Sequence, residues 1–233
     1  MPYTPAVVIQ KVQKRVYKTM TARLIRMPGG MATIKSLLAS YREVTPESLI
    51  LNYCQGLVPV DFTPKGPEWI IPETRAILPI GQLHHEKKTL QLVKKKRFEV
   101  RFNTAFDKVV HACAENRTGW LHARMQDVYI QLHAMGIAHS VEAWRNGKLV
   151  GGAFGVAFGG FFSGESTFHS ESEAGKVIFY HLDQRLQQRG YLLHDAQFIN
   201  PHLEKMGAYE MSQEEYMKCL AQALAAPVTF GDG

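Results

Sequence analysis

The sequence predicts an α+β fold with a mixed, mainly antiparallel sheet on which helices pack. The predicted elements run in the order helices, antiparallel strands, helix, strand and helix, which is typical of this class. Between two strand-like runs, Asn146-Gly147 is a strong signal for a β-hairpin, so neighbouring strands are expected to pair directly. A chain of 233 residues that is 45% hydrophobic can also bury a sizeable core without disulfides or metal.

The N-terminal third predicts one well-signalled helix. Thr45 is a candidate N-cap followed by Pro46 and Ser48, and the helix would end before Gly56. Several prolines then indicate a loop, and we expect a domain boundary after it. The predicted units are a basic N-terminal arm (1–30), a small N-terminal domain (31–75) and a main domain (76–233).

The main domain alternates between helical and strand-like patterns. Alternating apolar residues predict the strands, while capping and terminating residues bound the helices. Helices are expected at 86–96, 104–114, 127–135, 174–188 and 212–225. Strands are expected at 98–102, 140–145, 148–158, 160–162 and 191–199.

Positive charge is concentrated in two segments. The formal charge is +6, and residues 1–42 contain eight Lys or Arg but no Asp or Glu. A second concentration lies at 87–101. This asymmetry suggests a polyanionic partner such as nucleic acid, although a solvated tail or helix face has the same composition.

Cysteine usage and hydropathy argue against several classes of protein. The three cysteines are scattered and show no C-x-x-C or Cys/His ligand spacing, so neither a disulfide framework nor a zinc site is indicated. No apolar run reaches the roughly 18 residues that span a membrane. The sequence therefore predicts a cytoplasmic protein that holds no metal and contacts no membrane.

Three polar residues near predicted strand ends are candidates for catalysis. Asp195 and Gln197 are two residues apart, so on a strand their side chains would point to the same face. Glu165 follows a glycine and precedes a serine, where a carboxylate could hold a cationic amine. The alternative interpretation is that these side chains only satisfy strand ends and a surface turn.

The C-terminal half carries a series of short motifs in a fixed order. They are H-S-V-E-A-W from His139, G-G-A-F-G-V from Gly151, G-E-S-T-F from Gly164, D-A-Q from Asp195 and N-P-H-L from Asn200. In sequence, order and spacing this series resembles the leucyl/phenylalanyl-tRNA–protein transferases. A weaker match reaches back to about Arg42, and residues 1–41 are not covered.

The resemblance implies a GNAT-like acyltransferase domain preceded by a small N-terminal domain. It implies transfer of Leu, Phe or Met from aminoacyl-tRNA to the N-terminal Arg or Lys of an acceptor protein. No cofactor is implied, because the aminoacyl ester is already activated. We expect a monomer whose partners are aminoacyl-tRNA and an acceptor protein or peptide with a free amino group.

The resemblance also assigns candidate roles to individual residues. Asp195, Gln197 and Glu165 are the implied catalytic group. The implied aminoacyl- and adenosine-binding residues are Trp120, Trp69, Ala153, Phe154, Phe162, Ser166, Thr167 and Asn200. The implied tRNA-binding residues are Lys87, Lys88, Lys94, Lys95, Lys96 and Arg97, since phosphate contact needs charge rather than base identity.

Two departures from the family pattern bear on the donor. Ile70 replaces the second of two adjacent tryptophans, so the stacking of an adenine between aromatic rings is in doubt. Ala153 and Thr167 stand where the family has bulky methionines. The pocket for the aminoacyl side chain could therefore be wider or more polar, and the donor amino acid could differ.

Three other functions remain open on the sequence alone. One is an aminoacyl-tRNA-dependent ligase that acts on a small amine or peptide. Another is an acyl-CoA-dependent acyltransferase, which should show a glycine-rich pyrophosphate loop before a helix, whereas Gly151-Gly152 lies within a predicted strand. The third is a non-catalytic RNA-binding protein, which would leave Glu165, Asp195 and Gln197 unexplained.

Overall fold

The computed structural model describes residues 44–63, 66–115 and 121–231. Its first helix, α1 (Pro46–Cys54), confirms the predicted cap, because Thr45 Oγ1 accepts the N–H of Ser48 at 3.2 Å. Ser48 Oγ in turn accepts the N–H of Thr45 at 3.1 Å. The helix stops before Gly56, whose φ of +73° is a left-handed conformation that glycine adopts without strain. The predicted arm at 1–30 lies outside the described residues.

A β-hairpin follows α1 where the prolines predicted a loop. Strands β1 (Val58–Thr63) and β2 (Gly66–Ile70) pair antiparallel and form a separate two-stranded sheet. A two-stranded ribbon has only edge strands, which tolerate proline because the missing N–H need not pair. The prolines were therefore compatible with strands at this place.

The main sheet has seven strands in the order β4-β5-β6-β7-β8-β3-β9. Every neighbouring pair is antiparallel except β7 and β8, which run parallel. This arrangement confirms the predicted α+β class with a mixed, mainly antiparallel sheet. The strands are β3 (Thr74–Ile77), β4 (Glu99–Phe102), β5 (Ala138–Arg145), β6 (Lys148–Phe158), β7 (Phe161–His169), β8 (Leu193–Asp195) and β9 (Tyr209–Ser212).

Local turn signals predicted the β5–β6 hairpin correctly. Asn146 and Gly147 have φ values of +50° and +74°, as the tight turns that suit the strand twist require. Other strand ends differ from the prediction: β7 continues to His169 rather than ending at 162, and β8 is much shorter than 191–199. Neither β3 nor β9 was predicted, and the two strands pair with each other.

Helices cover both faces of the sheet. They are α2 (Lys87–Lys94), α3 (Phe106–Glu115), α4 (Ala123–Ala134), α5 (Ala174–Arg189), α6 (Pro201–Lys205) and α7 (Gln213–Ala225). One core cluster joins apolar residues of α1, α3, α4 and α7 to one face, and a second joins those of α5 to the other. Within the described ranges, no helix has the length and apolar composition that crossing a bilayer requires.

The domain boundary predicted after residue 75 falls inside β3, which belongs to the main sheet. Tyr53 of α1 also lies in the same core cluster as Phe154 of β6. The β1–β2 hairpin is a sheet of its own. The division into two domains stays a prediction.

The sheet splits where its two parallel strands meet. Strands β7 and β8 pair only over 161–163 and 193–195. Beyond that point β7 runs on while β8 ends. The residues that border this split form the site described next.

Candidate active site

A β-bulge in β7 determines where Glu165 lies. Ser166 pairs with Phe154 and Gly164 pairs with the next residue of β6, Gly155, so Glu165 is the extra residue. A bulge bends its strand and redirects the inserted side chain. The close approach needs glycine on the partner strand, because a Cβ on Gly155 would collide with the backbone oxygen of Ser163.

The Glu165 carboxylate is held by three neutral donors. Tyr129 donates its hydroxyl to Oε2 at 3.0 Å, and Ser163 donates its hydroxyl to Oε1 at 2.9 Å. Gln197 Nε2 lies 3.3 and 3.2 Å from the two carboxylate oxygens. An ionised carboxylate offers about four acceptor positions. The Tyr53 hydroxyl also interacts with this carboxylate, and all of these partners are neutral, so none of them balances its negative charge.

Burial changes the acidity of Glu165. Desolvation raises the pKa of its carboxyl group from 4.5 to about 7, and this effect exceeds the opposing effect of the hydrogen bonds from Tyr53, Ser163, Tyr129 and Gln197. Glu165 as a whole residue is only half-buried, and it lines a cavity. Its protonation state therefore changes near neutral pH, and a bound cation would favour the ionised form.

Aromatic residues pack on the side of this carboxylate that faces the protein interior. The Tyr53 hydroxyl lies 2.9 Å from the Tyr129 hydroxyl, and because Tyr129 donates to Glu165, Tyr53 is placed to donate to Tyr129. Trp69 packs edge-on against Tyr53 with ring centroids 5.7 Å apart. Trp69 therefore contacts Tyr53 and does not line the cavity.

Asp195 points away from the cavity into the protein. Both it and Arg75 are fully buried, and they form an ion pair through Arg75 Nη2 and Nε. Asp195 also accepts the Tyr216 hydroxyl at 2.8 Å and the backbone N–H of Gln197 at 2.8 Å. The expectation that Asp195 and Gln197 share one face of a strand is wrong, because β8 ends at Asp195.

Gln197 turns back toward β7 after the strand has ended. Its φ of +64° is left-handed, which is uncommon for a residue other than glycine. This conformation directs Nε2 to Glu165, to Ser163 Oγ at 3.4 Å and to the Gly164 carbonyl at 3.4 Å. The structure therefore links the three predicted catalytic residues in series: Asp195 fixes the backbone of Gln197, whose side chain contacts Glu165.

A cavity of about 570 Å³ opens beside Glu165. Phe154 and Phe162 are 2% exposed and border it with small residues, which leaves room for a side chain. Asn200 also lines it, and its Oδ1 caps α6 by accepting the N–H groups of His202 and Leu203 at 3.0 and 3.1 Å. The predicted aminoacyl-binding residues that line the cavity are Ala153, Phe154, Phe162, Ser166, Thr167 and Asn200.

The predicted tRNA-binding residues, which we call the basic run, do not line the cavity; they are Lys87, Lys88, Lys94, Lys95, Lys96 and Arg97. Trp120 is outside the described residues. The basic run extends beyond α2, which contains Lys87, Lys88 and Lys94, and all its members are exposed. Lys88 pairs with Glu173 at 3.1 Å, and Glu173 lines the cavity. This ion pair connects the N-terminal end of α2 to the cavity wall.

Four residues of this site were not singled out from the sequence. Tyr53, Tyr129 and Ser163 form the hydrogen-bond chain that leads to Glu165. Ser163 had a local signal, since it lies two residues before Glu165, whereas the tyrosines come from α1 and α4 and meet only through packing. His194 precedes Asp195 in β8 and lines the cavity.

The arrangement suits the binding of an amine. In the described part of the chain, no group of three His, Cys, Asp or Glu side chains could hold a metal ion. The cavity combines an apolar wall with a carboxylate whose hydrogen-bond partners are all neutral, whereas Gln197 and Asp195 do not line it. Such a carboxylate can hold an ammonium group.

Comparison with known proteins gives consistent matches. The family described as leucyl/phenylalanyl-tRNA protein transferase matches residues 77–221. A relative from Herpetosiphon aurantiacus, named leucyl/phenylalanyl-tRNA–protein transferase, is 41% identical over 81% of this chain and 99% of its own length. A relative of the same name from Gloeobacter violaceus is 40% identical over 80% of this chain and 97% of its own length. A third, from Chlorobaculum tepidum, is 40% identical over 79% of this chain and 97% of its own length.

Among solved structures, the C-terminal domain of a protein described as a lysylphosphatidylglycerol synthetase from Agrobacterium fabrum matches with a TM-score of 0.44 and 11% identity. That match covers 78% of this chain and 70% of the other, and its score is too low to assign a shared fold. The sequence matches, by contrast, extend over nearly the whole length of each relative. The chain therefore belongs to the leucyl/phenylalanyl-tRNA–protein transferase family.

Proposed function

We propose that this protein transfers an aminoacyl group from charged tRNA to the N-terminal amino group of a protein that begins with Arg or Lys. The observation that carries the proposal is the Glu165 carboxylate, whose hydrogen-bond partners are all neutral, at the wall of a cavity of about 570 Å³. The names of the family and of its relatives supply the substrate class.

In the proposed complex, the donor's α-ammonium group binds Glu165 and its side chain enters the cavity. The acceptor amine attacks the ester carbonyl carbon, a C–N bond forms, and the C–O bond to the ribose breaks. The proton lost by the amine ends on the departing ribose oxygen. A glutamine amide is a poor base, so Gln197 acts as a hydrogen-bond donor that orients the Glu165 carboxylate.

Asp195 serves as a positioning residue in this scheme rather than as a base. It is fully buried and already accepts hydrogen bonds from Arg75, Tyr216 and the Gln197 backbone. Its contribution is to fix the left-handed turn at Gln197, so that Nε2 reaches Glu165. Geometry of this kind matters because small displacements of reacting groups lower rates strongly.

We further propose that the main domain is GNAT-like and that the segment before it is a small N-terminal domain. The parallel pair β7–β8 in an otherwise antiparallel sheet supports the first proposal, and the separate β1–β2 hairpin supports the second. We also propose that the protein acts as a monomer. Since charged tRNA is used in the cytoplasm, we propose that the reaction occurs there.

The basic run is the proposed surface for the tRNA acceptor stem. Replacing Lys94, Lys95 and Lys96 by glutamate is expected to weaken binding of all charged tRNAs similarly. It should also reduce the slope of log K against log salt by about one for each lost phosphate contact. Affinity measured by filter binding or anisotropy at several salt concentrations tests this.

A control triple variant separates this surface from overall charge. Lys108, Lys148 and Lys218 are also exposed, and replacing all three by glutamate changes the net charge equally. We expect this control to lower the affinity only slightly and to keep the salt slope. An equal loss in both variants would mean that the basic run is not the tRNA surface.

One assay tests the proposed function directly. The protein is incubated with a pool of charged tRNAs and a peptide that begins with Arg, and the product mass is measured. The expected product is the peptide plus one aminoacyl residue, which an N-acetylated peptide should not give. Product on a small amine but not on the peptide would favour the tRNA-dependent ligase, and transfer from acyl-CoA alone would overturn the proposal.

A further inference from the structure

The wall of the cavity contains a buried histidine, one of whose ring nitrogens has no hydrogen-bond partner among the described residues. His194 is 2% exposed and lines the cavity from β8. Its ring meets Phe162 edge to face with centroids 5.3 Å apart, and its Nδ1 has no partner among the described residues. A buried polar group without a partner costs about 1–3 kcal/mol, and native structures contain few of them. Its position therefore calls for an explanation.

The register of the sheet shows which side of the cavity His194 faces. Phe162 pairs with His194 across β7 and β8, and Ala153 pairs with Thr167 across β6 and β7. Phe162 and Ala153 belong to the core cluster formed with α5. These four residues therefore lie on the α5 face of the sheet and border one region of the cavity, which we call the donor pocket.

The donor pocket combines apolar walls with neutral polar groups. Burial lowers the pKa of His194 to about 3, so the imidazole is uncharged and can accept a hydrogen bond at one nitrogen while donating at the other. Thr167 brings a hydroxyl group to the same region. Nδ1 is inaccessible, so Nε2, which lies 4.0 Å from a Cβ built on the lining residue Gly164, is the nitrogen that a ligand can reach. A purely aliphatic side chain would leave Nε2 without a partner.

We propose that the donor pocket selects a side chain with a neutral hydrogen-bonding group on an aromatic ring, namely tyrosine over phenylalanine and leucine. This inference rests on the proposed function and narrows its donor. It departs from the two amino acids in the names of the relatives. The aromatic ring would pack on Phe162 beside the small residues Ala153 and Thr167, and the phenol would hydrogen-bond to His194.

Charged side chains fit the donor pocket less well. A buried charge needs its own counter-ion, and the donor pocket offers an uncharged imidazole and a hydroxyl. The charged residues elsewhere on the cavity wall, Glu173 and Lys176, already pair with each other and with Lys88 and Glu86. Glu165 is assigned to the α-ammonium group of the donor. By contrast, a site built to bond a substrate hydroxyl discriminates strongly against the analogue without it, because its own polar group is then left unpaired.

The closing experiment compares tRNAs charged with tyrosine, phenylalanine and leucine as donors to one Arg-terminated peptide. Wild-type protein is expected to use tyrosine with a kcat/KM at least about tenfold above phenylalanine, since one hydrogen bond is worth about that factor. His194→Leu should bring this ratio to one or below. His194→Gln, which keeps a hydrogen-bonding group near the position of Nε2, should retain a preference for tyrosine.

A matched control tests whether any buried unpaired polar group has the same effect. The Tyr191 hydroxyl is likewise buried and unpartnered in the described structure, but Tyr191 does not line the cavity. Tyr191→Phe should leave the donor ratio unchanged. Thermal unfolding adds a second readout: His194→Leu should unfold at the same temperature or higher, because it removes an unpaired polar group from an apolar wall.

The outcomes separate this inference from the function on which it rests. Transfer that prefers leucine or phenylalanine in the wild-type protein would overturn the inference and leave the proposed function standing. The same holds if the ratio of tyrosine to phenylalanine is unchanged in His194→Leu. Absence of transfer from every charged tRNA would overturn the proposed function itself.

Discussion

Replacing Glu165 by glutamine is expected to lower kcat/KM for aminoacyl transfer about 100-fold, because hydrogen bonds to charged groups contribute about 1.5–3 kcal/mol. Glutamine has nearly the same shape and still accepts the Tyr129 hydroxyl, so the fold should persist. What it loses is the negative charge that would hold the donor's ammonium group. Steady-state kinetics with a saturating acceptor peptide measure the effect.

Ser163→Ala is the matched control for this substitution. It removes one of the three donors to Glu165 but leaves the charge in place. We expect a loss of no more than about tenfold, in line with a single hydrogen bond. Binding of tRNA without an amino acid should be unchanged in both variants. A glutamine variant that transfers as fast as the wild-type protein would remove Glu165 from the donor site.

The pKa of Glu165 adds a pH dependence to the same prediction. Because burial raises this pKa to about 7, the carboxyl group is protonated in acid and cannot hold an ammonium group as an ion pair. Affinity for an amide-linked analogue of the aminoacyl-adenosine should therefore fall as the pH drops below 7. The glutamine variant should bind the analogue weakly with no such step.

The same pKa makes the free energy of unfolding depend on pH, in the direction opposite to the affinity for the analogue. The folded-state pKa of Glu165 lies above its ordinary value of 4.5, so the folded protein binds this proton more tightly than the unfolded chain. Its contribution to the free energy of unfolding is present below pH 4.5 and is lost as the pH rises to about 7. The free energy of unfolding of Glu165→Gln should therefore rise relative to that of the wild-type protein across this window, as urea denaturation at several pH values would reveal.

Local signals in the sequence predicted the parts of the fold that local chemistry determines. Thr45 with Ser48, Asn146-Gly147 and Gly190 each act within a few residues, through a side-chain cap or a left-handed turn. The same holds for the pairing of β5 with β6, whose strands are joined directly. Such features can be read from one stretch of sequence.

Contacts between distant segments determine what the sequence did not predict. Strand β3 has only the residues 74–77 and lies between β8 and β9, both more than 100 positions away. The bulge at Glu165 depends on Gly155 of the neighbouring strand β6, so the sequence of β7 alone could not predict it. Tyr53 and Tyr129 reach Glu165 from two helices. No pattern within either helix distinguishes these tyrosines from ordinary core residues.

The motif containing Asp195 and Gln197 shows most clearly what residue spacing cannot predict. Spacing predicted two side chains on one face, whereas the strand ends between them and Gln197 adopts a left-handed conformation. The partner that holds Asp195 is Arg75, 120 positions earlier in the chain. The role of Asp195 therefore follows from an ion pair that spacing within the motif could not reveal.

The largest expected loss of stability comes from breaking that ion pair. Arg75 and Asp195 are both fully buried, and Arg75 also donates to the Gly56 carbonyl at 2.7 Å. Asp195→Ala leaves the guanidinium charge buried and unpaired, which typically costs about 3–5 kcal/mol. For a chain of this size, each kcal/mol lowers Tm by about 2–4 °C. A fall of roughly 6–20 °C is expected by calorimetry, whereas Glu214→Ala, which breaks an exposed pair with Lys218, should produce no measurable change.

A double variant separates stability from catalysis. Replacing Arg75 by Met and Asp195 by Leu removes both charges, and buried ion pairs can often be exchanged for apolar residues with little loss of stability. We expect Tm to recover most of the difference while transfer stays at least about tenfold below wild type, since the Gln197 N–H has lost the carboxylate that fixes its turn. Recovery of both Tm and transfer would contradict the positioning role, because it would mean that Asp195 only stabilises the fold. Recovery of Tm alone would show that the carboxylate acts on the reaction by holding Gln197 against Glu165.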